Sequence, residues 1–270
     1  MRIGNRDFDL KNHCYIMGIL NVTPDSFSDG GKWDDLDRAR KHVEEMIRDG
    51  ADIIDVGGES TRPGHIKISV QEEIERVVPC IKMIKENFDV PVSIDSYKSD
   101  VVEAALKAGA DLVNDIWGLK YDSRVGELIA AYDVPCCLMH NRANTDYDDF
   151  MTDMLIDMKK SLRIAKFAGI KDEKIILDPG VGFGKTQEHN LTVINHLEEL
   201  CALGFPVLLA TSRKSVIGAA LDLPTDQRVE GTVATTVMGV IKGAAFIRVH
   251  DIKENYRAIK MTEAILHEKI

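Results

Sequence analysis

The sequence predicts an α/β protein, a single-domain (β/α)8 TIM barrel, on three observations. Eight short apolar runs recur along the 270 residues. Segments with apolar residues at helical spacing lie between them. The first run gives way to Asn21, Val22, Thr23 and Pro24, where an open dinucleotide-binding sheet would show GxGxxG.

The first run, 15–20, is followed by a stripe of Leu36, Ala39, Val43, Met46 and Ile47, which predicts a one-sided helix. The second run, 53–56, precedes a cleaner stripe of Val70, Ile74, Val77, Val78, Ile81 and Ile84. The third run, 90–94, leads to a short helical segment at 100–106. The fourth and fifth runs lie at 112–113 and 134–139, with a helix at 151–168 after the fifth. Runs at 174–177, 206–210 and 245–249 and a final helix at 256–266 complete the alternation. Buried parallel strands read as continuous apolar runs. Gly50, Gly109, Gly169, Gly204 and Gly243 each stand just before the next run, where a helix closes on a left-handed residue. No linker or low-complexity stretch divides residues 1–270, so one domain is expected.

Composition narrows the function. An apolar fraction of 44% supplies a large core, and 34 Lys and Arg against 44 Asp and Glu give a net charge of −10 that repels nucleic acid. Nothing resembles a membrane span of about 18 uncharged apolar residues, and residues 1–10 carry charges where a signal peptide would be apolar. The five cysteines, Cys14, Cys80, Cys136, Cys137 and Cys201, show no CxxC spacing and read as buried reduced thiols of a cytoplasmic chain. Cys136 and Cys137, adjacent on a strand, point to opposite faces and cannot share a metal.

In such barrels the C-terminal strand ends carry the site, and here those ends are polar: Asn21, the stretch 57–64, Asp95, Asn114, Asp115, His140, Asp178, residues 212–215, Arg248 and His250. Asp115 and Ser96 read as turn or helix caps. Asp95, Asn114 and Asp178 together suit a heterocycle edge rich in N–H donors, with Lys214 donating to an acceptor on the same ring. Arg248 and His250, two apart on a strand, share a face and with Arg62 suit a phosphate or pyrophosphate. Asn21 offers a carbonyl oxygen to Mg²⁺, which keeps several waters and binds partly through substrate phosphates. The glycine-rich stretch 180–186 lacks Walker spacing and reads as a place of close backbone approach to a ligand.

Six motifs, in order, carry a specific resemblance. MGILNVTPDSFSDGG at 17–31, GGESTRPG at 57–64, SIDS at 93–96, LDPGVGFGKT at 177–186, TSRKS at 211–215 and RVHD at 248–251 resemble the dihydropteroate synthase family over nearly the whole chain. The resemblance implies a transferase of folate synthesis that joins 6-hydroxymethyl-7,8-dihydropterin pyrophosphate to p-aminobenzoate, releasing pyrophosphate. By position it implies that Asp95, Asn114, Asp178 and Lys214 hold the pterin, and that Met139 and Phe183 line the pterin and aminobenzoate pockets. Asn21, Arg62, Arg248 and His250 fall on the pyrophosphate and Mg²⁺ side, and Thr61 is a further substrate-binding position. Ser215, Phe27 and Pro63 fall near the aminobenzoate, where sulfonamides compete, and loops 22–31 and 57–67 close over both.

Asp95, Lys214 and Arg248 are the expected catalytic groups in a dissociative displacement, with Asp95 stabilising positive charge on the ring as pyrophosphate leaves. The resemblance further implies a homodimer, to which the apolar stretch 233–241 would contribute. Ala210 departs from the family, which often has glycine there, and residues 140–150 follow no pattern. Two alternatives stay open: a methyltetrahydrofolate corrinoid methyltransferase, which needs no pyrophosphate grip, and a non-catalytic pterin-binding paralogue.

Overall fold

The computed structural model describes residues 1–22, 32–59 and 67–268. A hairpin of β1 (Arg2–Ile3) and β2 (Arg6–Asp7) comes first. Eight parallel strands follow: β3 (Tyr15–Asn21), β4 (Ile53–Gly57), β5 (Val92–Asp95), β6 (Leu112–Asp115), β7 (Cys136–Met139), β8 (Ile175–Asp178), β9 (Leu208–Leu209) and β10 (Phe246–Val249). They are ordered β8-β7-β6-β5-β4-β3-β10-β9. A parallel bridge between Leu177 and Val207 joins the two outer strands and closes the barrel.

Every predicted run contains a strand. Helices α1 (Lys32–Arg48), α2 (Val70–Asn87), α3 (Ser99–Lys107), α4 (Ser123–Tyr132) and α5 (Phe150–Ala168) surround the first strands. The ring continues with α6 (Gln187–Asn195), α7 (Leu197–Cys201), α8 (Ser215–Leu221), α9 (Val229–Ile241) and α10 (Ile252–Leu266). Local chemistry sets the boundaries. Ser69 accepts the Glu72 N–H at the start of α2, and Asp149 accepts the Thr152 N–H at the start of α5. Gly169 ends α5 at φ 89°, and the other four glycines expected at helix ends are also left-handed.

Strand alternation sorts the interior. Ile54, Ile94, Val113, Cys136 and Leu177 face the helices in one large core. Met17, Ile53, Leu112, Cys137, Ile176, Leu208, Ala210 and Phe246 fill the barrel itself, so Cys136 and Cys137 do lie on opposite faces. The hairpin joins this inner group through Ile3 and Phe8, with the Phe8 ring edge-on to Tyr15 at 4.8 Å. The barrel is thereby filled and stoppered at its N-terminal end, and polar side chains take over towards the other.

Candidate active site

Strand register builds the polar end. Asn21 pairs with Gly57, Gly57 with Asp95 and Asp95 with Asn114, setting four strand ends side by side. Gly57 lies between two of these polar groups: a Cβ there would be in ordinary contact with the Asp95 side chain at 3.6 Å and Asn21 Oδ1 at 3.7 Å. Around the barrel, Met139 pairs with Asp178.

The structure brings together Asn21, Asp95, Asn114, Met139, Asp178, Phe183, Lys214 and Arg248 on this end. Asp95, Asn114 and Asp178 are buried. Met139 and Phe183 belong to an apolar group with Tyr97, Ile116 and Trp117, separate from both cores. Lys214, at the N-terminus of α8, donates to the Val181 carbonyl at 2.7 Å and lies 5.0 Å from the centre of the Phe183 ring. Burial pushes its pKa down to about 8, opposed chiefly by the Asp178 charge. Burial likewise raises the Asp178 carboxyl, against Lys214 and a 2.7 Å hydrogen bond from the Gly180 N–H. Ser215 is exposed in the first turn of α8. Thr61, Arg62, Phe27, Pro63 and most of loops 22–31 and 57–67 lie outside the described residues.

Arg248 points inward. Its Nε donates to Asp55 Oδ2 and its Nη2 to Asp95 Oδ2, both at 2.6 Å. Burial raises the Asp95 carboxyl, while Arg248 opposes the rise and Asp55 adds to it. His250 accompanies Arg248 on the strand but is held differently. Its backbone N–H donates to Ser212 Oγ at 3.1 Å, and its Nδ1 lies 2.9 Å from the same oxygen. Ser212 thus ties both the backbone and the imidazole of His250 to the end of β9.

Asp55 is the residue that sequence reasoning missed. Fully buried, it accepts from Arg248 and, at 3.2 Å, from Asn114 Nδ2. That second bond turns the Asn114 carbonyl away from Asp55, fixing the amide as an acceptor for a ligand. The signal was a lone carboxylate inside an apolar run at 53–56.

Two strand-end residues leave the site because alternate side chains face opposite ways. Asp115 accepts the Trp117 and Leu119 N–H groups in its own turn. His140 is fully buried on the helix side, with Nδ1 2.8 Å from Lys185 Nζ, and burial pushes its pKa down to about 2. The glycines of 180–186 also serve protein contacts: a Cβ on Gly180 would lie 2.0 Å from the His140 carbonyl and one on Gly184 2.6 Å from that of Arg142. The patternless segment 140–150 is tied to the same loop, with Tyr147 donating to the Gly184 carbonyl at 2.7 Å.

A family model described as pterin binding enzyme matches residues 17–250, and the chain belongs to that family of pterin-binding enzymes. The chain is 62% identical to the dihydropteroate synthase of Clostridium beijerinckii, over 98% of this chain and 99% of that protein. It is 53% identical to that of Bacillus subtilis, over 96% and 90%. A Clostridium difficile dihydropteroate synthase solved in the presence of pteroic acid has a TM-score of 0.94 at 52% identity, covering 97% of this chain and 100% of that one. A Yersinia pestis dihydropteroate synthase in a sulfonamide drug complex has a TM-score of 0.93 at 42% identity, covering 99% of each. Within the pterin-binding enzymes the chain thus falls among the dihydropteroate synthases, which are transferases.

Proposed function

We propose that this barrel end carries out the dihydropteroate synthase reaction. The amine of p-aminobenzoate displaces pyrophosphate from 6-hydroxymethyl-7,8-dihydropterin pyrophosphate. The observation that carries the reading is the convergence of three buried acceptor groups, Asp95, Asn114 and Asp178, with the amine of Lys214 at one polar barrel end. Asp95, Asn114 and Asp178 accept from the N–H edge of the pterin, and Lys214 donates to the ring. As the carbon–oxygen bond to pyrophosphate breaks, its electron pair leaves with pyrophosphate and the ring shares the positive charge, next to the Asp95 carboxylate. The p-aminobenzoate nitrogen then bonds to the carbon and loses a proton to solvent. Arg62, Arg248 and His250 hold the departing anion, Thr61 is a further substrate contact, and Phe183 and Ser215 border the aminobenzoate, for which sulfonamides compete.

Mg²⁺ fits the donor set in a limited way. Among the described residues no group of three His, Cys, Asp or Glu side chains could hold a metal, and Asn21 offers one neutral oxygen beside Gly57 and Asp95. Such a site suits an ion carried mainly by pyrophosphate and water, whose chemistry is to neutralise the leaving group. Measured turnover is expected to need both substrates and to fall to background on chelation. Formation of product under full chelation would remove Mg²⁺ from the reading. Tight pterin binding without product would favour a non-catalytic pterin binder.

Because Lys214 has a depressed pKa of about 8, dihydropterin affinity is expected to fall as pH rises through about 8 and the ammonium loses its proton. A titration of binding against pH checks this, and flat affinity up to pH 10 would remove the charged donor. The unfolded chain holds that proton to about pH 10.4. Lys214 therefore makes folding stability rise with pH between those two values.

The partner proposed for the protein itself is a second copy. Met238 and Ile241 on α9 and Met261, Ile265 and Leu266 on α10 are exposed apolar side chains on two helices that pack together. Ile241→Asp with Ile265→Asp is expected to halve the mass seen in sedimentation, and an unchanged mass would exclude this face. The cytoplasm is proposed on the five free thiols, and no helix among the described residues is long and apolar enough to cross a membrane.

A further inference from the structure

We propose that Arg213 is a positioning residue for Lys214, acting through Asp251 and touching no substrate. The proposal rests on the reading of Lys214 as a pterin contact. Arg213 lies in the left-handed region at φ 56°, a conformation that residues with a Cβ adopt reluctantly. Glycine would take that conformation freely, so the side chain here must supply something that glycine cannot.

What it supplies is a forked grip on the next strand's loop. Arg213 Nε donates to Asp251 Oδ2 at 2.9 Å, and Nη2 donates to Asp251 Oδ1. The peptide units on either side are held as well: the Arg213 N–H donates to Thr232 Oγ1 at 3.2 Å, and Arg228 Nη1 donates to the Arg213 carbonyl at 3.0 Å. Asp251 is a firm anchor. Its carbonyl accepts from Asn255 Nδ2 at 2.7 Å, and Asn255 in turn accepts from Thr236 at 2.7 Å in the buried α9–α10 seam.

The left-handed step at Arg213 lets its two neighbours face different partners. Ser212 meets His250, while Lys214 starts α8 with its amine on the Val181 carbonyl beside Phe183. Were Arg213 to relax to negative φ, the chain direction into Lys214 would change, and with it the aim of the ammonium. The fork thus couples the loop after β9 to the end of β10.

The test is a double-mutant cycle read by calorimetric binding of 6-hydroxymethyl-7,8-dihydropterin pyrophosphate. Arg213→Gly, which relieves the backbone conformation but loses the fork, is expected to weaken binding about tenfold in the otherwise intact chain. In a Lys214→Met background the same change is expected to cost less than twofold, because the group it positions is gone. Asp251→Asn should reproduce the loss with the backbone unaltered, and it carries the test if Arg213→Gly does not fold. Equal losses with and without Lys214 would show a general structural effect and overturn the proposal, as would unchanged binding in both Arg213→Gly and Asp251→Asn. If Lys214→Met itself leaves binding unchanged, the pterin reading of Lys214 is what fails.

Discussion

Asp95→Asn is expected to lower turnover roughly a hundredfold or more, the loss seen when one preorganised electrostatic group is removed from a transition state. The substitution keeps the shape and removes the charge. Asp95 Oδ2 is taken by Arg248, whereas Oδ1 is buried with no hydrogen-bond partner among the described residues. That oxygen is the one a pterin N–H would meet. In the dissociative displacement proposed above the positive charge on the ring grows only as pyrophosphate leaves, so the loss should fall mainly on kcat and less on dihydropterin affinity. Single-turnover formation of dihydropteroate, measured beside substrate binding, separates the two. A variant with normal kcat would sink the charge-stabilising role of Asp95.

The second large effect concerns stability. Asp55 and Asp95 share one guanidinium, and Arg248→Met would leave two carboxylates buried without it. Breaking a buried pair by removing one partner costs about 3–5 kcal/mol, which for a chain of this size lowers Tm by roughly 10 °C. The pH dependence has a definite sign. Burial already raises the Asp95 carboxyl, and Arg248 is the main opposing influence. In the variant, folded Asp95 holds a proton that the unfolded chain releases near pH 3.9. The deficit should therefore shrink as pH falls towards 5 and reach its full size above the raised folded value. Thermal unfolding at pH 5 and pH 8 checks this, and equal Tm values for variant and parent at pH 8 would show that the pair contributes nothing.

The barrel was legible because buried parallel strands are written as unbroken apolar runs, each set apart by polar ends and left-handed glycines. The hairpin of β1 and β2 was not, since strands of two residues have no period to detect. At the site, reading strand ends found Asp95, Asn114 and Asp178 but also gathered His140, because it did not count alternation back from Met139. Arg248 was legible as a cation at a strand end. Its inward turn was not, because that depends on Asp55, a carboxylate 193 positions away in sequence. The Arg213 fork was hidden for a similar reason: whether an arginine faces solvent, a ligand or a neighbouring loop is settled by what the fold places beside it.

The stopper formed by Ile3 and Phe8 also bears on how the chain is made. Phe8 lies 5.9 Å from the ring of Phe246, and the inner group it joins includes Leu208 and Ala245. These residues lie in or beside β9 and β10 and are synthesised long after the hairpin. Its docking surface is incomplete until β9 and β10 have emerged, so Ile3 and Phe8 must wait, with their apolar side chains uncovered, for strands made long after them. Burial of Phe8 is accordingly a late event of biosynthesis, and fluorescence from a tryptophan placed there would report completion of the barrel.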